Sequence, residues 1–180
     1  MKKTIHKLFW AWQFEEEEKW LNEMAAEGWV LTDVGYCRYE FEPCEKGEYQ
    51  YKLEYLANRP GDKHSLKYIN FIEETGAEYV GNCLKWAYFR KKVAEGEIFD
   101  IYSDRNSKIK YFERITGVIG GLAIANLIIG VVNVIIALFD GQFVNMMGIL
   151  NIVLAAFLYG GYKKINNKCN TIVQEHTLFE

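Results

Sequence analysis

The run ITGVIGGLAIANLIIGVVNVIIALF, residues 115–139, contains no charged side chain. A second uncharged run, FVNMMGILNIVLAAFLYGGY, covers residues 143–162. A hydrocarbon core of about 30 Å is crossed by a helix of roughly 20 apolar residues. Backbone groups in lipid must be paired internally, so each run is expected to be a helix. Asp140-Gly141-Gln142 separates the two runs, and so short a link predicts an antiparallel transmembrane hairpin. A buried helical pair in a soluble protein is the alternative, and it fits poorly because two such runs would dominate a core this small.

The flanks give an orientation. Lys108, Lys110 and Arg114 precede the first run, Lys163, Lys164 and Lys168 follow the second, and the turn carries no basic residue. Basic residues favour the cytoplasmic side. The expectation is therefore a cell-membrane protein with two spans and both termini cytoplasmic. Tyr111, Phe112, Tyr159 and Tyr162 fall where interfacial aromatics would sit. Small and polar residues form a stripe on each span: Gly120, Ala123, Asn126, Gly130, Asn133 and Ala137 on one, Gly148, Asn151 and Ala155 on the other. Such residues allow close helix approach, within the hairpin or in a homodimer. With no ionisable residue inside either span, a transport path is not expected.

Residues 1–107 are a different material, with 15 Lys/Arg against 20 Asp/Glu. Their pattern reads β-α-β-β-α-β. Strand one covers about 4–12, and helix one runs from Phe14 to Glu27 with Phe14, Leu21, Met24 and Ala25 on one face. Gly28 follows it as the residue that ends the helix. Strand two covers about 29–41, strand three runs from Tyr49 to Tyr55, helix two is capped by Ser65 and stops at Gly76, and strand four covers about 78–91. The segments 26–30 and 74–80 both place helix, glycine and aromatic strand in succession, so the halves echo each other. The expected fold is α+β: a ferredoxin-like cytoplasmic domain over 1–92, a linker and juxtamembrane helix over 93–114, the hairpin over 115–162 and a cytoplasmic tail over 163–180. The helices would cover the tyrosine-bearing strand faces. The other face would show Arg38, Glu40, Lys52, Glu54, Lys85 and Phe89, either solvated or receiving a partner around Phe89.

Chemistry is sparse. His6, His64 and His176 fall in a strand, a loop and the tail, and no nucleophile-base order or phosphate loop stands out. Glu15 to Glu18 point around a helix axis and read as a solvated first turn that favours the helix dipole, not as a metal site. Cys37, Cys44, Cys83 and Cys169 lack ligand spacing and read as reduced structural thiols. No catalytic residue, cofactor or metal is assigned, and an acidic domain without a basic stripe argues against nucleic acid.

The block EKWLNEMAAEGW at 18–29, Tyr39-Glu40-Phe41, Tyr51 to Tyr55, Trp86 to Lys92 and Ile101 to Asp104 together resemble the DUF2812 family. The resemblance covers about 1–114. It implies a membrane-attached Firmicutes protein of unknown function, of a family whose genes often lie beside PadR-type transcriptional regulators, and so an accessory or sensing role in a regulated envelope locus. It brings no established catalytic residues. The expected function is a membrane-anchored, non-enzymatic sensory or regulatory module that binds a ligand or partner. The alternatives are an accessory subunit of a transporter-like membrane complex and an enzyme whose site is assembled from distant residues. The expected partners are the bilayer and a homodimer mate or another membrane protein.

Overall fold

The computed structural model describes residues 2–94, 96–102, 104–140 and 147–177. The chain divides into two compact units, Met1–Ser103 and Asp104–Glu180. The first unit is α+β, with six strands where four are expected: β1 Lys3–His6, β2 Trp29–Gly35, β3 Arg38–Pro43, β4 Tyr49–Tyr55, β5 Glu78–Cys83 and β6 Trp86–Lys92. Helix α1 (Phe14–Ala26) follows β1, and helix α2 (Lys63–Glu74) follows β4.

These strands make two antiparallel sheets of three, ordered β1-β3-β2 and β4-β6-β5, in place of the single ferredoxin-like sheet. The correction has a local cause. Strands two and four of the sequence reading are each a hairpin, turning at Tyr36-Cys37 and at Leu84-Lys85. Two-residue hairpins need positive φ and usually take Gly, Asn or Asp. Here Cys37 (φ 54) and Leu84 (φ 55) adopt it, so neither turn carries at that position the residue type that would mark it in the sequence.

The first unit is a duplication of one β-α-β-β motif. Adding 48 to a residue number carries left-handed Gly28 onto Gly76, and the bulge at Leu31/Asp33 onto the bulge at Tyr79/Gly81. The same step carries buried Glu17, Leu21 and Met24 of α1 onto buried Ser65, Ile69 and Ile72 of α2. The second repeat buries Leu56, Ile69, Ile72, Ala77, Ala87 and Phe89 together with Phe99. The segment after β6 is therefore docked: Phe99 N–H donates to Gln50 Oε1 (2.8 Å), and the Tyr102 hydroxyl donates to buried Glu54.

Smaller differences also have local causes. Strand one ends at His6, and a 3₁₀ turn, Ala11–Gln13, leads into α1. Asp62 rather than Ser65 caps α2, accepting from His64 N–H at 2.9 Å, and Ser65 is buried one turn in.

The repeats are joined at an edge. A free strand edge is a row of unpaired backbone groups. On β4, the Asn22 side chain accepts from Tyr51 N–H (2.8 Å) and donates to Tyr51 C=O (3.3 Å). Glu18 accepts from Leu53 N–H (3.3 Å) and from Lys52 Nζ (2.7 Å). Helix α1 is thus clamped to the second repeat's edge, which fixes Glu17 between the repeats.

The second unit is a helical pair, α3 (Arg105–Asp140) and α4 (Gly148–Thr177). Among the described residues, α3 is the one helix long and apolar enough to cross a membrane, with mean hydropathy 2.6 and 11% of its most apolar window buried. The expected turn at 140–142 and the start of the second run lie outside the described residues, apart from Asp140. The remainder of that run, in α4, does not meet the same measure. Tyr111 and Phe112 are buried, not presented as an interfacial belt. Gly130 and Gly148 face each other: a Cβ on Gly130 would lie 2.8 Å from Gly148 O, and one on Gly148 would lie 2.6 Å from Gly130 O. Asn133 meets the same crossing, and a Cβ on Gly120 would lie 3.1 Å from the Tyr162 ring. Ala123 and Ala155 are buried, and Asn151 is half-buried. Asn126, also half-buried, donates to Leu122 O (2.8 Å) within its own helix.

Candidate functional site

The six residues expected on one open sheet face divide between the two sheets. Arg38 is exposed and pairs with Asp33 (2.9 Å) and Glu40 (3.3 Å) on its own sheet. Lys52 is engaged by Glu18, and Lys85 donates to Ala57 O (2.5 Å) beside the Tyr55 ring. Glu54 and Phe89 are interior, at 1% and 0% exposure. Phe89 cannot be the centre of a partner face because α2 and Phe99 already cover it. Alternation misleads at β6, a central strand in which Ala87, Tyr88 and Phe89 are all buried.

The chemistry lies on the opposite side of β6. Glu17 falls in the stripe Phe14, Glu17, Leu21, Met24, Ala25, the buried face of α1. Its Oε1 accepts from Tyr39 Oη of β3 at 2.7 Å and from Tyr88 Oη of β6 at 2.5 Å. The carboxyl therefore ties both repeats together. Burial pushes its pKa above the ordinary carboxylate value, partly offset by the two tyrosine hydrogen bonds, which favour the charged form. Burial and the neighbouring carboxylate push the Tyr39 and Tyr88 hydroxyls upward, so they remain donors. Neighbouring Glu18 is also raised by burial, with Lys52 opposing the shift.

Glu17 sits at the wall of a cavity of about 160 Å³. The segment between β1 and α1 supplies Lys7, Leu8, Phe9, Trp10 and Ala11, and the two hairpin turns supply Tyr36, Cys37, Cys83 and Leu84. Phe14, Tyr39 and Trp86 complete it. Phe14 stacks on Trp86 (5.2 Å between centroids), and Phe9 meets Tyr39 edge-on (6.4 Å). Lys7 Nζ lies over the rings of Phe9 (4.8 Å) and Trp20 (4.5 Å). The mouth is apolar and open, with Leu8 at 54%, Tyr36 at 78% and Leu84 at 74% exposure. Cys83 is half-buried, and burial followed by the Glu17 charge raises its thiol pKa, so little of it is the nucleophilic thiolate.

Among the described residues nothing hydrogen-bonds the second oxygen of Glu17, Oε2. No buried side-chain oxygen or nitrogen among them lacks a partner, so this atom is not sealed in protein but opens onto the cavity. The arrangement is an aromatic-walled pocket with one carboxyl oxygen that no described side chain or backbone group engages. Glu17, expected in a solvated turn with Glu15, Glu16 and Glu18, is instead buried on the apolar face of α1. The overlooked signal is spacing: Glu17 lies three residues after Phe14 and four before Leu21, on the apolar stripe.

No curated protein and no solved structure matches the chain. The family match spans residues 13–124, which takes in α1, both hairpins, the Glu17–Tyr39–Tyr88 cluster and the start of α3. Over that span the chain belongs to the DUF2812 family, described as proteins of unknown function.

Proposed function

We propose that this chain is a membrane-anchored, non-enzymatic sensory or regulatory module whose first unit binds a small molecule in the Glu17 cavity. The observation that carries this reading is the open acceptor of a buried carboxyl. That oxygen faces the cavity without a protein donor, so a bound ligand can supply the hydrogen bond that solvent otherwise supplies. Ligand pockets commonly combine apolar walls with a few placed polar groups.

The anchoring part rests on the apolar helix α3 and on the uncharged run that continues into α4. We read the pair as two spans in the cell membrane, with both termini cytoplasmic because the six basic flanking residues lie on one side. The exposed apolar surface of α3, including Leu122, Ile128 and Ile135, is then solvated by lipid.

The test is a small-molecule screen by thermal shift on the full-length protein in detergent, followed by Cys83→Phe, which places a ring in the cavity. The reading predicts stabilising compounds whose effect disappears in the filled variant. A screen without stabilisers, or stabilisers indifferent to Cys83→Phe, would refute it. Extraction of the full chain from vesicles by alkaline carbonate would refute the anchoring.

A further inference from the structure

We propose that the Glu17 cavity receives a small organic ammonium ion bearing an apolar group, such as a benzylic or aliphatic amine. The inference rests on the reading of the first unit as a ligand-binding module and names the chemical class of its ligand.

Four observations converge. Oε1 of Glu17 is saturated by two tyrosine hydroxyls, and Oε2 opens on the cavity without a donor. A ligand ammonium supplies that donor and the opposite charge, and charge-assisted hydrogen bonds are the strong ones. The walls hold six aromatic residues, Phe9, Trp10, Phe14, Tyr36, Tyr39 and Trp86, around a single carboxyl. Aromatic faces attract cations, and alkylammonium groups are commonly held in such cages. One ring of the wall already faces an ammonium: Lys7 Nζ lies over Phe9, and also over Trp20 outside the cavity lining. The volume, about 160 Å³, is close to that which takes one six-membered ring in a dry protein cavity. The apolar mouth suits the substituent.

Other classes fit less well. An anion meets the Glu17 carboxyl in a low-dielectric site. A neutral ring without a donor leaves Oε2 dry. Lys7, the cation on the wall, competes with an incoming ammonium, so its removal should tighten binding.

The experiment is calorimetric titration of the full-length protein in nanodiscs with three probes of similar shape: benzylammonium, benzyl alcohol and benzoate. Benzylammonium is expected to bind most tightly. Glu17→Gln should weaken it about tenfold or more while changing benzyl alcohol little. Lys7→Gln should strengthen it. If Glu17→Gln fails to fold, as judged by near-ultraviolet circular dichroism, Tyr36→Ala removes an exposed wall ring. It should then weaken benzylammonium more than benzyl alcohol. Benzyl alcohol or benzoate binding as tightly as benzylammonium overturns the ammonium assignment and leaves the cavity a ligand site. An affinity unmoved by both Glu17→Gln and Tyr36→Ala does the same. If none of the probes binds, the assignment falls, and the thermal-shift screen decides the ligand-binding reading independently.

Discussion

In the first repeat the buried turn of the helix carries Glu17, and in the second the corresponding turn carries Ser65, at 7% and 4% exposure. The backbones agree in helix stop, bulge and hairpin. The interiors do not. The second repeat is closed: Phe99 comes back from the following segment and completes an apolar cluster on α2. The first repeat's helix instead sets a carboxyl at the wall of an aromatic cavity that Cys83, Leu84 and Trp86 of the second repeat help to line. Two copies of one motif thus divide the work. One carries the stability of a filled core, and the other holds a polar group that folding alone would not select.

The largest test of that contrast is Phe99→Ala. Emptying a filled core should cost about 3–5 kcal/mol in chemical denaturation of the full chain. A cost below about 1 kcal/mol would show that the second repeat is closed without it. In the first repeat, Glu17→Leu orphans the hydroxyls of Tyr39 and Tyr88. Each unsatisfied buried donor costs about 1–3 kcal/mol, and removing a carboxyl that burial disfavours offsets part of that, so the loss should be smaller than for Phe99 but plain in the same assay. An unchanged midpoint would mean that the hydroxyls find other acceptors.

A pH series sharpens the contrast further. Glu17 is held above its ordinary pKa by burial. Its protonated form therefore suits the fold. Its contribution is fully present below the unfolded carboxylate range and is lost as pH rises through the folded value. Glu17→Gln keeps an acceptor for both tyrosines and removes that titration. The stability difference should move in favour of the glutamine variant as pH rises, and parallel curves would contradict the shift. The smallest effect is expected at Ser65→Ala. No hydrogen bond of that hydroxyl is seen among the described residues, and alanine is the better helix former, so stability should stay within about 1 kcal/mol.

How much of this the sequence carries varies with how local the signal is. The helices α1 and α2, the glycines that stop them and the apolar run in α3 follow from periodicity and composition, and the structure has them there. The two hairpin turns do not follow. A left-handed Cys37 or Leu84 is imposed by strand pairing and leaves no turn residue to read. Phe99 sits in a stretch that reads as linker, and only the cluster it completes explains its burial. Glu17 was legible by its spacing yet hidden among four consecutive glutamates, whose summed charge suggests water. The two tyrosines that hold it lie 22 and 71 residues away, a convergence that no local pattern contains.

The most direct test of this account is a carbon-13 NMR titration of the Glu17 side-chain carboxyl in the full-length protein, assigned by its absence in Glu17→Gln. A midpoint above that of an ordinary glutamate, moving downward when a benzylammonium probe is added, is the predicted result. A midpoint at or below the ordinary value would contradict it, because the carboxyl would then be solvated or already paired and the cavity would have no acceptor to offer.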